Sequence, residues 1–219
     1  MSEGTRRAFL AAAAAAVAVT LAGVAGCTGG SAGRTEDGST VSSPFQPCPP
    51  VASAAPAGSP AGAGPPQPAA GPPLAAASTG EPLPDLTLPC FTGGEPVALA
   101  RLGRPAILNL WASWCQPCRK ELPEFQRLAG ASAGRLVVLG VVTGDTRSSA
   151  ASAAQDLDVS FPSVFDARES LRLGLARTAL PVTAFVGADG RVRHVDITGA
   201  LTFARLTELT RQYLGVEVS

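Results

Sequence analysis

The sequence predicts an α/β domain with a mixed central sheet, flanked by helices and preceded by a short β-hairpin. Two nearly continuous apolar runs, 106–111 and 136–142, are typical of strands buried on both faces. A helical pattern at 117–128 separates them. Strands at 182–186 and 192–197 then flank an Asp-Gly pair, which is a hairpin signal. Parallel and antiparallel pairs are therefore expected in one sheet.

The other elements complete this order along the chain. Short strands at 85–88 and 97–99 flank a Thr-Gly-Gly turn and form the predicted N-terminal hairpin. Helices are predicted at 146–157 and 167–173. Apolar residues at helical spacing from 203 to 213 predict a closing helix. Residues 81–219 are numerous enough to bury one core, and we expect a monomer.

The charge balance excludes one class of function. The 219 residues include 17 basic and 17 acidic side chains, for a formal net charge of zero. Proteins that bind nucleic acid through its phosphates normally carry a basic surface, so no nucleic-acid partner is expected.

Residues 1–26 have the pattern of an export signal. Arg6 and Arg7 precede an uncharged, Ala-rich stretch at 8–25, as in twin-arginine signals. The stretch ends in Val-Ala-Gly before Cys27, which resembles a bacterial lipoprotein box. Lipid on Cys27 would anchor the chain to the outer face of the cytoplasmic membrane without spanning it. The alternative is an ordinary signal followed by an unrelated cysteine.

The segment 27–80 is predicted to be a tether. Thirteen prolines and nine glycines lie among the 58 residues from 27 to 84, with few charges. Such a composition buries too little apolar surface to offset its ordering entropy. We therefore expect a semi-extended spacer between the membrane and the domain at 81–219.

The chemistry is predicted at Cys115 and Cys118. Two cysteines separated by two residues, at the start of a helix after a buried strand, are typical of a redox pair. The helix N-terminus favours a thiolate at Cys115, the expected nucleophile, and Cys118 would resolve the mixed disulfide. Pro117 fits the first turn, where its missing N–H costs nothing. A metal site needs a second ligand cluster, and only His194 is available, so no metal is expected.

Residues 109–123, Asn-Leu-Trp-Ala-Ser-Trp-Cys-Gln-Pro-Cys-Arg-Lys-Glu-Leu-Pro, resemble the active-site segment of thioredoxin-like proteins of the bacterial envelope. The membrane-tethered reductases of cytochrome c biogenesis are the most similar group. The resemblance runs from about residue 82 to 214 and includes Leu-Pro-Val-Thr at 180–183. It implies a thioredoxin-like fold and thiol–disulfide exchange.

The resemblance assigns further residues to the site. Pro181 matches a cis-proline that faces the cysteines, Pro123 a proline that kinks the helix, and Trp111 and Trp114 aromatic residues that shield the disulfide. Glu121 matches a carboxylate that tunes the thiol pKa values and transfers protons. Other interpretations stay open: Pro181 as an ordinary loop proline, Trp111 as a core residue, and Glu121 as a helix-start acid.

The segment also departs from the pattern of general thioredoxins. Asn109 replaces a buried Asp and cannot titrate, so proton transfer at the site would depend more on Glu121. Gln116 and Pro117 between the cysteines do not determine whether the pair is reducing or oxidising.

Cys48 and Cys90 remain after the other three cysteines are assigned. Outside the cytoplasm leftover thiols usually pair, so we expect a structural Cys48–Cys90 disulfide that holds the end of the tether on the domain. The alternative is a second exchange pair that passes electrons to or from Cys115.

The resemblance implies an oxidoreductase without a bound cofactor. Its expected substrates are protein disulfides such as that of apocytochrome c, and a membrane thiol carrier would reduce it again. One alternative is a thiol oxidant or isomerase in the folding of exported proteins. A non-catalytic or copper-handling protein of the same fold is another, and it would need His194 near the cysteines.

Overall fold

The computed structural model describes residues 43–50 and 80–218. The predicted export signal, Cys27 and most of the predicted tether lie outside the described residues. Within the described ranges, no helix is both long enough and apolar enough to cross a lipid bilayer. In chain order the elements are β1 (Glu81–Pro82), β2 (Thr87–Leu88), β3 (Val97–Ala98), a 3₁₀ helix (Leu99–Arg101), β4 (Ala106–Trp111), α1 (Gln116–Ala131), β5 (Val137–Thr143), α2 (Arg147–Asp156), β6 (Ser163–Asp166), α3 (Ser170–Gly174), β7 (Val182–Val186), β8 (Arg191–Asp196) and α4 (Phe203–Leu214).

The predicted mixed α/β sheet is confirmed. Across 80–218 it has six strands in the order β1-β8-β7-β4-β5-β6. The pairs β4–β5 and β5–β6 are parallel, and the pairs β4–β7, β7–β8 and β1–β8 are antiparallel. Strands β2 and β3 pair separately as the predicted N-terminal hairpin. The apolar run at 106–111 becomes the central strand β4, buried at every position.

Alternate residues of the central strands belong to two apolar layers, one on each face of the sheet. On one face, Ile107 and Trp111 pack with the inner sides of α1, α2 and α4. On the other, Leu108 and Leu110 pack with the β2–β3 hairpin and with Leu171 of α3. Side chains alternate between the faces of a strand, so a strand between two such layers must be apolar throughout.

The structure corrects the predicted helix at 167–173. Residues 163–166 form the edge strand β6, and α3 starts only at Ser170. The two carboxylate oxygens of Asp166 accept the N–H groups of Ser170 and Leu171, each at 2.9 Å. Glu169 has a left-handed backbone (φ 58°), which prevents an earlier start of the helix.

Residues 43–50 are part of the folded domain, so the prediction of a semi-extended spacer does not hold for them. Phe45 is buried, with its ring centroid 4.7 Å from that of Phe91 and 6.3 Å from that of Trp111. The N–H of Gln46 donates to Ser160 O at 2.7 Å. One aromatic side chain and one disulfide give this short segment the burial that the surrounding composition lacks.

Candidate active site

The cysteine pair lies where β4 ends and α1 begins. Cys115 is the N-cap of α1 and is disulfide-bonded to Cys118, one turn later. The Sγ atom of Cys115 also accepts the N–H of Cys118 at 3.3 Å. Cys115 is 4% exposed and Cys118 is completely buried. A substrate thiol can therefore approach only Cys115, where the unpaired amides of the helix start stabilise a thiolate.

The two prolines of α1 have different places. Pro117 lies in the first turn, beside the exposed Gln116, where no backbone hydrogen bond is lost. Pro123 lies inside the helix and lacks the N–H that would donate to Arg119 O. Pro117 thus lies in the first turn, as its missing N–H predicts, and Pro123 lies inside the helix, where it is a site for a bend.

Sequence reasoning missed a loop that holds the cysteine turn. Asp145, just after β5, accepts the N–H of Ser113 at 2.6 Å and that of Thr146 at 2.7 Å. The indole Nε1 of Trp114 donates to Gly144 O at 3.2 Å. Strands β4 and β5 are parallel neighbours, so the loops at their carboxyl ends meet at one edge of the sheet. Asp145 follows the second apolar run, 136–142, so the rule that these loops meet could have identified it from the sequence.

The two tryptophans differ in exposure. Trp111 is completely buried and packs against Phe45, which makes it a core residue at the base of the site. Trp114 is 61% exposed beside Cys115. Only Trp114 is therefore placed to contact a substrate.

Pro181 lies at the same edge of the sheet as the cysteine pair. The Leu180–Pro181 bond is cis. In the β4–β7 register Leu110 pairs with Val182, so Pro181 lies beside Trp111, the last residue of β4. Together with Ile197, which is 56% exposed, the 176–181 loop lines a cavity of about 190 Å³. The structure thus places Pro181 at the edge of the sheet where the cysteine pair lies, with a small cavity of mixed polar and apolar lining beside it.

Glu121 is completely buried under the site, three residues after Cys118. Its Oε1 accepts from Asn109 Nδ2 at 2.7 Å, and its Oε2 accepts the N–H of Leu201 at 3.2 Å. Burial raises the pKa of Glu121 to about 7, and the charge of Asp196 adds to this shift, while the two hydrogen bonds oppose it. A carboxyl group with this pKa exchanges protons near neutral pH, as a general acid or base must.

We expect the oxidised protein to lose stability as the pH rises through about 7, and Glu121→Gln to lose this dependence. The unfolded chain releases this proton near 4.5, but the folded chain holds it until about 7. The stabilisation is therefore complete below about 4.5, is lost as the pH rises from there to about 7, and changes no further above that pH. The difference between these two pKa values corresponds to about 3 kcal/mol.

Urea unfolding from pH 4 to 9 measures this as the free-energy difference between wild type and variant at each pH. Glu124→Gln is the matched control, because Glu124 lies on the same helix and also accepts a backbone N–H, from Phe203, at a part-buried contact. A constant difference between wild type and Glu121→Gln across the range would contradict the expectation.

His194 is not brought to the cysteine pair. It pairs with Phe185 on β7, which in turn pairs with Ile107, four residues before the end of β4. That distance along a strand is about 13 Å. The imidazole stacks on Tyr213, with ring centroids 4.2 Å apart. Among residues 43–50 and 80–218, no three His, Cys, Asp or Glu side chains are grouped so that they could hold a metal ion.

Cys48 and Cys90 form a second disulfide. Cys90 also forms an isolated bridge to Val164, and Phe91 next to it donates its N–H to Ser163 O at 2.8 Å. The disulfide thus fastens residues 43–50 to the β6 edge of the sheet, next to the aromatic rings that reach Trp111.

The comparisons with known proteins agree with this site. The model of the AhpC/TSA family matches residues 79–195. A thiol-disulfide oxidoreductase ResA of Geobacillus thermodenitrificans is 28% identical over 128 residues, which are 58% of this chain and 73% of the relative. A thiol:disulfide interchange protein DsbE of Pseudomonas aeruginosa is 32% identical over 124 residues, 55% of this chain and 67% of the relative.

A solved structure supports the same conclusion about the fold. StoA from Bacillus subtilis superposes with a TM-score of 0.51 at 25% identity, over 57% of this chain and 95% of that one. The predicted thioredoxin-like fold and the predicted resemblance to envelope thiol–disulfide oxidoreductases are confirmed.

Proposed function

The chain belongs to the AhpC/TSA family and is a thiol–disulfide oxidoreductase, and from this premise we propose that it reduces protein disulfides outside the cytoplasm. The observation that carries the proposal is the buried carboxyl group of Glu121 behind a cysteine pair whose outer sulfur alone is accessible. Reduced Cys115 attacks a substrate disulfide and forms a mixed disulfide with it. Glu121 then takes the thiol proton of Cys118, and the Cys118 sulfur displaces the reduced substrate from Cys115.

The substrate would be a protein segment with apolar residues near its disulfide. Trp114 and Ile197 expose large apolar side chains at this edge of the domain, and the cavity beside Leu180 and Pro181 lies next to Ile197. The exposed ring of Trp114, next to Cys115 in the chain, supports contact with an apolar segment of the substrate. By the resemblance of residues 109–123, we assign apocytochrome c before haem attachment as the substrate and a membrane thiol carrier as the electron donor of a monomeric reductase.

The direction of electron flow is tested by the midpoint potential of the Cys115–Cys118 pair. The full chain is equilibrated in thiol buffers, and the redox state is read from trapped thiols by mass spectrometry. We expect a value near or below about −270 mV, that of a reductant. A value of roughly −120 to −180 mV would instead support an oxidant of exported proteins.

The location of the protein is a separate part of the proposal. Arg6, Arg7 and the small residues before Cys27 support export and attachment of lipid to Cys27. We expect the chain in the membrane fraction of its cell, with a diacylglyceryl group on Cys27 detected by mass spectrometry, and Cys27→Ala in the soluble fraction. An unmodified Cys27 within a longer mature N-terminus would contradict the lipid anchor and leave the redox role unaffected.

A further inference from the structure

Two loops lie on either side of the cysteine turn. Strand β4 stands between β7 and β5 in the sheet, antiparallel to β7 and parallel to β5. The loop after β5 (144–146) and the loop before β7 (176–181) therefore lie at the same edge of the sheet as the turn that carries the cysteines. Gly144 O in the first loop accepts the indole N–H of Trp114, and the second loop ends at Pro181. A polypeptide bound at the outer cysteine thus meets a surface bounded by Trp114 and Pro181.

Helix α3 runs between these two loops. The chain leaves β6, on the far side of β5, and returns to β7, on the far side of β4, so the segment that contains α3 crosses both central strands. Leu171 of α3 packs against Leu108 and Leu110 of β4 on that face of the sheet. The polar side chains of α3 are therefore placed between the first loop and the second.

The start of α3 is fastened to the first loop. The carbonyl oxygen of Asp166 accepts the N–H of Gly144 and that of Glu169, each at 3.1 Å. The side chain of Glu169 lies over Gly144, where an added Cβ atom would stand 2.8 Å from the carboxyl carbon of Glu169. Gly144 also has a left-handed backbone (φ 59°), so both its conformation and this close approach require glycine. Glu169 therefore packs directly on the residue that holds Trp114.

Arg172 connects Glu169 to the second loop. Its Nε donates to Glu169 Oε2 at 2.7 Å, its Nη2 donates to the same oxygen, and its Nη1 donates to Arg177 O at 2.9 Å. The N–H of Arg177 donates back to Arg172 O at 3.0 Å. The Arg172 side chain is only 15% exposed, so solvent and salt screen the pair little. Contacts thus continue from Trp114, across the Glu169–Arg172 pair, to the loop that ends at Pro181.

Two residues of this connection have a backbone conformation that depends on such contacts. Glu169 (φ 58°) and Ala176 (φ 54°) are both left-handed, which is unfavourable for a residue with a Cβ atom. Non-glycine residues keep this conformation only where the surrounding structure holds them. Arg172 bonds to the side chain of Glu169 and to both backbone groups of Arg177, which follows Ala176. Loss of its guanidinium group would therefore release both positions.

We propose that the Glu169–Arg172 pair fixes the spacing of the two loops and so determines how well a polypeptide disulfide binds. A polypeptide contacts the surface from Trp114 to Pro181, whereas a small disulfide needs only Cys115. The inference rests on the proposed function, in which the substrates are protein disulfides. The hydrogen bonds of the pair join its members to each other and to a backbone carbonyl, and not to a sulfur atom, so both members are positioning residues.

The test compares Arg172→Met with wild type on two disulfides. The full chain carries Cys27→Ser and is reduced at the Cys115–Cys118 pair only. It is mixed with hydroxyethyl disulfide or with a short peptide whose own disulfide is flanked by Leu and Phe, and mass spectrometry of trapped thiols follows the reaction. Each turnover oxidises the Cys115–Cys118 dithiol and reduces one substrate disulfide to two thiols, so no other reductant is needed.

We expect Arg172→Met to require at least about fivefold more peptide for its half-maximal rate, with a maximal rate within about twofold of wild type. The rate constant with hydroxyethyl disulfide should also stay within about twofold, because that molecule does not extend to both loops. An equal fall with both substrates would overturn the inference, since it would show damage to the cysteine turn itself.

The same experiment distinguishes failure of the inference from failure of the proposed function. Identical peptide curves for Arg172→Met and wild type would overturn the role of the pair, and the proposed function would stand because the wild type reduces the peptide. A wild type that reduces hydroxyethyl disulfide but not the peptide would overturn both.

Arg172→Lys separates position from charge. Lysine keeps the positive charge but lacks the planar fork that bonds Glu169 and Arg177 O together, so we expect it to bind the peptide as weakly as the Met variant. Peptide binding at the wild-type level would assign the role to charge alone and overturn the inference. Arg205→Met is the matched control, because Arg205 pairs with Glu208 at the same i,i+3 spacing on α4, on the other face of the sheet. It should leave both substrates unaffected.

Glu169→Asn provides a second test that does not depend on the folding of the Arg172 variants. Asparagine tolerates the left-handed backbone, but its side chain is shorter and uncharged. We expect the same loss of peptide binding, and Arg172→Met should add less than its full effect in this background, because the two residues act as one pair. Effects that simply add would show that the two residues act independently and would overturn the inference.

Discussion

Cys118→Ser should accumulate a stable mixed disulfide between Cys115 and its substrate, whereas Cys115→Ser should lose exchange completely. The physical reason is the difference in solvent accessibility. Cys115 keeps a small exposed surface (4%), whereas Cys118 is completely buried at the first turn of α1. Only Cys115 can meet a second sulfur atom, and only Cys118 can displace the substrate from it. Intact-mass measurement of each reduced variant, mixed with a disulfide-containing protein, detects the adduct.

Removal of the second disulfide is the matched control. Cys48→Ala with Cys90→Ala leaves the Cys115–Cys118 pair untouched, and we expect its rate of exchange to stay within a few-fold of wild type. Residual exchange in Cys115→Ser that disappears when Cys48 and Cys90 are also removed would identify those two cysteines as a second exchange pair. That result would contradict a purely structural role for their disulfide.

The parts of the site that are local in sequence could be predicted from the sequence. Strand β4 and the start of α1 are adjacent, so an apolar run followed by two cysteines and a proline already places a nucleophile at a helix start. The bounds of β4 and β7 agree with the predicted 106–111 and 182–186. Burial on both faces leaves a continuous apolar pattern of strand length, which the sequence shows directly.

The parts that depend on distant contacts could not be predicted. Glu121 accepts the N–H of Leu201, which lies 80 positions away, and its relation to Asp196 depends on the registers of two strand pairs. A shift of one residue in either register would turn Thr183 or Asp196 to the opposite face. Sequence spacing carries no information on such a register, so the position of Asp196 relative to Glu121 became visible only in the folded chain.

Edge elements were missed for a different reason. Strand β1 has two residues and β6 has four, too few for an alternating pattern to stand out. Phe45 shows the same limit, because one aromatic residue in a Pro-rich segment does not reveal that it packs on Phe91. The conformation of such residues is determined by contacts with residues that are distant in sequence, and not by a local preference for helix or strand.

Loss of the Cys48–Cys90 disulfide should lower the free energy of unfolding by about 3–4 kcal/mol. The bond joins residues 42 positions apart, and the chain-entropy model gives about 4 kcal/mol for a loop of that length. Without the bond, the unfolded chain is also less restricted and exposes more surface, so the dependence of the free energy on urea, the m-value, should rise. Urea unfolding of Cys48→Ala with Cys90→Ala, compared with wild type under non-reducing conditions, measures both quantities.

Phe45→Ala is the matched control, because it removes the buried ring and keeps the bond. It should also destabilise the protein, by about 3 kcal/mol, yet leave the m-value unchanged, since the unfolded chain stays closed by the disulfide. If the cysteine variant instead loses stability without a change in m-value, the segment is held by its aromatic contacts, and the bond does not restrict the unfolded chain. If the cysteine variant shows neither a loss of stability nor a change in m-value, the bond contributes no stability, and the packing of Phe45 on Phe91 and Trp111 alone holds the segment.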